Sequence, residues 1–480
     1  MVNVSDQKTP SQRAKPSAVV HLSAAERAQR GKVARAEVPR ASHAGFEPSS
    51  TRPDPIGLLE EQAASRVAEL VPIRYGRMLV SPFAFYRGAA LIMASDLATT
   101  PRSGLMVQAC GDAHMSNFGV FASAERNLVF DVNDFDETLP GPWEWDVKRL
   151  AGSLVVAGRD RGFSAKERTD AVLAAVEGYR NEMQTLAGMR DLEVWYRRID
   201  ADQVLKDLGA QATKTVTKRT GKLLAKAHTQ DSMAAFNKLC QVVDGQPRIV
   251  SDPPLISRLQ DLLGDEADQV FERIHQLVRI YRRSLQADRR HLLERFKVVD
   301  MARKVVGVGS VGTRAWILLM EGRDEADPLF LQAKEAQASV LERFVGKSSY
   351  TNQGERVVAG QHLMQASSDI FLGWERNDGI DGVRRDYYLR QLKDWKGSVD
   401  PDQMIPETTV AYAQVCGWTL ARAHARSGDR IAIAAYLGNS PAFDRAIASF
   451  AESYAEQNQR DYQALQKAVA DGRVTAQTGL

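Results

Sequence analysis

One stretch, Lys304–Met320, limits the folds open to this 480-residue chain more than any other. It is β-branched and apolar, punctuated by Gly307-Val-Gly-Ser-Val-Gly312. A G-x-G-x-x-G string of this kind opens a helix in a dinucleotide-binding unit. Here Thr313-Arg-Ala-Trp-Ile-Leu-Leu-Met320 continues as strand instead, which argues against that unit and leaves a glycine-rich turn between two strands. Pro328-Leu-Phe-Leu-Gln-Ala-Lys334 then predicts another strand. Its alternating Leu329, Leu331 and Ala333 face one side, and Lys334 faces the other.

Helix surrounds this β-rich island. Leu58, Leu59, Ala63, Val67 and Leu70 recur at three- and four-residue intervals. Residues 164–300 read as mostly helix, opened by the capping box Ser164-Ala-Lys-Glu167. From Thr408 to the end the reading is helix again. Short strands are expected at Leu105–Cys110, Asn127–Val132, Ile370–Trp374 and Asp386–Leu392, with a helix over Gly354–Ser367. Five segments follow: a basic tail over 1–53, a loop-bearing part over 54–163, a helical segment over 164–300, a β-rich part over 301–395 and a helical end over 396–480. The tail carries nine Lys/Arg against four Asp/Glu and few large apolar residues, so it is expected to be flexible apart from a short helix through Ser23–Arg35. The remainder holds 54 basic and 56 acidic residues, which gives no reason to expect a nucleic-acid partner. Lys214, Lys218, Arg219, Lys222 and Lys226 read as a solvated helix face.

Chemistry concentrates in Cys110-Gly-Asp-Ala-His-Met-Ser-Asn-Phe-Gly119 and the following Phe130-Asp-Val-Asn-Asp-Phe-Asp-Glu137. Phosphoryl transfer needs a carboxylate to orient the attacking hydroxyl and accept its proton, and oxygen ligands to hold magnesium against nucleotide phosphates. Asp112 fits the first role. Asn117 and Asp134 fit the second, with Asp136 a further metal candidate. His114 is read as bracing the loop. Asp146 is read as an acceptor for backbone amides.

These residues resemble the catalytic loop of the protein-kinase-like superfamily in its aminoglycoside and choline phosphotransferase form. Cys110 stands where that loop has histidine. The resemblance implies an α+β, two-lobed kinase-like fold, with a small antiparallel β lobe and a large, mainly helical one. It implies ATP and Mg as cofactors, Asp112, Asn117 and Asp134 as catalytic residues, and Gly307, Gly309, Ser310, Gly312 and Lys334 as the nucleotide clamp. A kinase lysine needs a carboxylate partner. Glu355 on the next helix is the first candidate, Glu342 its rival, and Glu335 should point to the opposite strand face.

In kinases the glycine loop and lysine precede the catalytic loop; here they follow it by nearly two hundred residues. The helix Tyr412–Arg426 looks like the one that leads into that loop, so a circular permutation is implied. Over almost its whole length the chain also resembles an uncharacterised bacterial family, domain of unknown function 2252. Arg77-Met-Leu-Val-Ser-Pro-Phe-Ala-Phe-Tyr-Arg-Gly88, the Cys110–Gly119 loop, Asn133–Arg149 and Gly354-Glu-Arg-Val-Val carry that likeness.

The expected activity is an ATP- and Mg-dependent phosphotransferase acting on a hydroxyl of a small molecule or protein, with 164–300 shaping the acceptor pocket. A nucleotide-binding pseudokinase or scaffold and a kinase-like nucleotidyl (AMP) transferase are the alternatives. No apolar run reaches the ~18 residues that a membrane helix needs. No signal peptide is visible, and three scattered cysteines make no disulfide framework, so a cytoplasmic location is expected.

Overall fold

A computed structural model describes residues 21–203, 213–392 and 394–480. Twelve strands and a large helical assembly account for most of it, so the fold is α+β.

Six strands form one antiparallel sheet. In chain order these are β7 (Ile256–Arg258), β8 (Lys297–Lys304), β9 (Ala315–Glu321), β10 (Pro328–Ala336), β11 (Gly373–Asp378) and β12 (Arg384–Gln391). Their spatial order is β11-β12-β10-β9-β8-β7. Strand periodicity divides the apolar residues between two faces. Trp316, Leu318, Met320, Leu329, Leu331 and Leu389 pack with Ile274 and Tyr281 of the segment 267–285. Ile317, Leu319 and Phe330 face the other way, onto Ala235, Leu239 and Ile249. Lys334 lies on the Phe330 face, as alternation along β10 predicts. The helix Gln353–Met364 connects β10 to β11.

The larger body is helical. Its centre is the helix pair Ala165–Ala187 and Pro406–Ser427, flanked by Trp143–Asp160, Arg430–Leu437 and Ala442–Ala470. Gly417 allows the close approach within that central pair, since a Cβ there would sit 2.1 Å from the Ala175 carbonyl oxygen. Two short hairpin-like pairs sit on the body and frame the loop Cys110–Asn117. They are β1 (Met106–Ala109) with β4 (Leu139–Pro142), and β2 (Phe118–Ala122) with β3 (Leu128–Val132).

The described residues of 164–300 are mostly helix, with strands among them. They include the hairpin β5 (Cys240–Val243) and β6 (Gln246–Ile249), the strand β7, and the start of β8. Asp244-Gly245, both at positive φ, is the Asp-Gly turn that closes the hairpin, a sequence signal that short strands make easy to miss. The expected flexibility of the basic segment needs correction from residue 24 onward. The helix Ala24–Glu37 carries the capping box Ser23/Glu26 and packs on Arg430–Leu437. Phe46 is buried in the main core, and Arg52 bridges Asp96 and Asp461 at 2.6 Å each. The expectation for residues 1–20 lies outside the described residues. The lysines of Lys214–His228 are exposed while Val216, Leu224 and Ala227 are buried, as a solvated helix face requires.

Candidate functional site

The loop after β1 is held from below by the helix Trp143–Asp160. Asp146, 1% exposed, accepts the Cys110 N–H at 2.6 Å and the Gly111 N–H at 2.9 Å. His424 Nε2 lies 3.1 Å from the same carboxylate, and its Nδ1 faces the Tyr179 hydroxyl at 2.8 Å. Three donors therefore converge on one buried carboxylate, which offsets the desolvation of its charge. Gly111 adopts a positive φ of 81°, and a Cβ there would meet the Glu137 carbonyl oxygen at 2.3 Å. Glycine is required on both counts.

One helical turn beyond Asp146, Arg149 donates to Asp112 Oδ1 from Nε at 2.8 Å and Nη2 at 2.7 Å. The guanidinium also reaches the Tyr86 carbonyl and lies 4.0 Å over that ring. Burial pushes the Asp112 carboxyl above its ordinary range, against the pull of Arg149. A carboxylate raised in this way is a stronger base while remaining oriented. His114 lies 3.8 Å from Asp112 Oδ2. Burial, then Arg149 and Arg87, drives its pKa well below the usual value, so it stays neutral. Asn117 Nδ2 donates to the Asp112 carbonyl at 2.8 Å, which leaves its Oδ1 as the atom available to a cation.

Lys334, 3% exposed, comes from β10 and meets the loop that follows β3. Its ammonium is 2.6 Å from Asp136 Oδ2 and 3.9 Å from Asp134 Oδ2. Burial opposes its charge, but the two carboxylates outweigh burial and hold the ammonium above its usual pKa. Tyr388 stands directly opposite Lys334 in the β10–β12 register, and its hydroxyl donates to Asp136 Oδ1 at 2.5 Å. Directly opposed residues share a sheet face, which explains why both reach one carboxylate. With both oxygens engaged, Asp136 acts as the lysine's partner. The expected partner, Glu355, makes no contact with Lys334. It occupies the first turn of its helix, where its amide is capped by Asn352. Neighbouring Arg356 is the buried residue, donating to the carbonyls of Thr138, Asp136 and Gln337.

Asp112, His114, Asn117, Asp134 and Asp136 line one cavity of about 540 Å³, whereas Lys334 lies behind the lining and reaches it through Asp136 and Asp134. Gly307, Gly309 and Ser310 line it too, and Ser310 Oγ is 3.4 Å from Asp136 Oδ2. Gly312 lies outside the lining. At a φ of 88°, it packs on Arg66, and its carbonyl accepts the Val67 N–H at 2.8 Å. The glycine-rich segment is anchored by the N-terminal helices, with Val308 and Val311 buried against them. Among the described residues none of 164–300 lines this cavity. Residues 61–91 form one of its walls. Arg149 and Tyr388 were not singled out as site residues. The Asp146/Arg149 spacing, one turn on one helix face, was the available signal for the first.

The hard-oxygen set Asn117 Oδ1 and Asp134 fits magnesium, which takes one or two carboxylates and completes its shell with water and substrate phosphates. Among the described residues, no group of three or more His, Cys, Asp or Glu is placed to hold a metal by itself. None of the described helices is long and apolar enough to cross a membrane.

Fold and site together define a two-part α+β chain with a polar cleft between its sheet and its helical body. Residues 66–468 match a family described as an uncharacterized protein conserved in bacteria (DUF2252), and the chain belongs to that family. No curated protein and no solved structure matches it.

Proposed function

We propose that this protein is a phosphotransferase that uses ATP and magnesium on a kinase-like fold of permuted chain order. The observation that carries the reading is the meeting of Lys334 with Asp136, 198 residues away in sequence, and with Asp134, both acids lining the cavity that holds Asp112. Supporting it, a glycine-rich turn joins β8 to β9, the lysine lies on the next strand, and a helix precedes the last two strands. The end of helix Pro406–Ser427 reaches the strand leading into the catalytic loop, where the Gln108 N–H donates to Ser427 Oγ at 3.1 Å. That contact stands where an unpermuted chain would be continuous.

In this reading Asp112, fixed by Arg149, orients the acceptor hydroxyl and takes its proton. Lys334 supplies positive charge to the nucleotide phosphates, and the backbone of Gly307–Ser310 covers them. Magnesium, held by Asn117 and Asp134, would supply charge neutralisation. The test is a thermal-shift titration with nucleotides and magnesium followed by product analysis. Asp112→Ala should abolish turnover and keep nucleotide binding, whereas Lys334→Ala should weaken nucleotide binding. Full activity of D112A would end the assignment. Mass analysis of the product separates an added phosphate from an added AMP, and binding without any turnover points to a scaffold.

A further inference from the structure

The cavity wall formed by residues 61–91 carries three arginines. Residues 66–87 contribute Arg66, Arg74 and Arg87 to its lining. The Arg87 side chain makes no hydrogen bond or ion pair with any described residue, and its Nε is buried without a partner. Arg74 is fully buried. Its Nη2 donates to Gln62 Oε1 at 2.9 Å and the Gly88 carbonyl at 3.1 Å, while Nε and Nη1 have no partner. Arg66 gives Nη1 to the Val311 carbonyl and leaves Nε unpartnered.

The acids of the same cavity are mostly committed elsewhere. Asp112 is paired with Arg149, Asp136 with Lys334, Glu335 with Arg314 and Glu61 with Arg343. Glu137 accepts the Val340 N–H at 2.7 Å, and burial pushes its carboxyl up to about 7, so it is only partly charged at neutral pH. Glu342 also borders the cavity, with one buried oxygen unpartnered. Asp134, the remaining acid of the lining, is 3.9 Å from Lys334 and, with Asp112, acts on Arg87 only at longer range. Three guanidinium groups thus have no carboxylate at ion-pair distance among the described residues. Burying a cation without one is costly unless a ligand supplies the missing charge and acceptors.

We propose that Arg87, backed by Arg74 and Arg66, forms an anion subsite for an oxyanion group of the acceptor, a phosphomonoester or carboxylate. The identification of the ligand as the acceptor rests on the phosphotransferase reading; the anion site itself does not. Arg87 is the contact residue, because it is only partly buried and borders the cavity that holds Asp112. Its planar donors suit an oxyanion presented in two-point fashion. Arg74 and Arg66 line the same wall and raise the local potential. An acceptor held here by its charged end would place a hydroxyl toward Asp112, and the nucleotide phosphates would lie on the Lys334 side.

The experiment titrates the full chain with inorganic phosphate, and separately with acetate, in the absence of metal and nucleotide, following its melting temperature. Wild type should show a saturable rise with at least one of the two anions, and which one tells a phosphate site from a carboxylate site. Arg87→Gln should raise the half-saturating concentration by about tenfold or more. Lys334→Ala should leave anion binding unchanged while weakening the shift by magnesium-ATP, and R87Q should keep the magnesium-ATP shift, which also shows that it is folded. The idea is overturned if neither anion binds wild type saturably, or if R87Q binds as wild type does. Loss of anion binding in K334A overturns it too, since the anion would then sit in the nucleotide cradle. Arginine-dependent anion binding without any response to magnesium-ATP would retain the subsite and remove the phosphotransferase reading.

Discussion

Removing the Asp146 carboxylate should unlock the loop that carries Asp112. The side chain accepts two backbone N–H groups and the His424 ring, all of them buried. A hydrogen bond to a charged acceptor contributes about 1.5–3 kcal/mol, and leaving a buried donor unmet adds a desolvation penalty of similar size. Losing the two backbone bonds alone in Asp146→Ala should therefore destabilise the fold by at least about 3–6 kcal/mol. Asp146→Asn should fare little better, because its Nδ2 would face a donor where Oδ1 or Oδ2 now accepts. The assay is urea denaturation at constant pH, with hydrogen exchange of the Cys110 and Gly111 amides read in parallel. Both amides should exchange much faster in the variants, ahead of global unfolding. A loss below about 1 kcal/mol with unchanged exchange at both amides would refute the bracing argument. Transfer activity should also fall in D146N even under conditions where the protein stays folded, since Asp112 sits one residue beyond the two braced amides.

Other expectations follow from the same geometry. Gly111→Ala meets both a left-handed backbone and the Glu137 carbonyl, and should cost more than about 2 kcal/mol in a denaturant melt; a neutral result would mean that the loop has another conformation. Asp136→Asn leaves the buried Lys334 without its nearest partner and should destabilise by about 3 kcal/mol. The Asp136→Asn/Lys334→Met double variant should recover part of that, and strict additivity of the two single variants would argue against the pair. Glu375 is buried with Asn377 as its hydrogen-bond partner, and burial raises its carboxyl from 4.5 to about 8. The folded state therefore binds more protons than the unfolded one, and this group's contribution to stability falls as pH rises from about 4.5 to about 8. Glu375→Gln should accordingly stabilise the fold at pH 8 far more than at pH 5, by a difference on the order of 3 kcal/mol. Equal effects at the two pH values would contradict the shift.

The amino-acid sequence by itself determined most of the local order. Strand alternation placed β9 and β10, and the glycine string followed by β-branched residues predicted turn and strand where a dinucleotide site needs helix. The Ser23 and Ser164 boxes marked two helix starts, because capping involves residues three apart that any helix brings together. Phosphoryl-transfer chemistry and the kinase resemblance named Asp112, Asn117 and Asp134, which line the cleft, and Lys334, which touches two of its acids. Pairings across long separations were not legible. Asp136 rather than Glu355 meets Lys334 because β10 and the loop after β3 converge, and only the sheet register brings Tyr388 onto the same carboxylate. The burial of residues 24–53, and the wall made by Arg66, Arg74 and Arg87, depend on how the amino-terminal helices dock against the carboxy-terminal ones. An arginine has the same intrinsic preferences on a wet surface and in a closed cavity, so its charge acquires meaning only when the surrounding chain decides which acids it can reach.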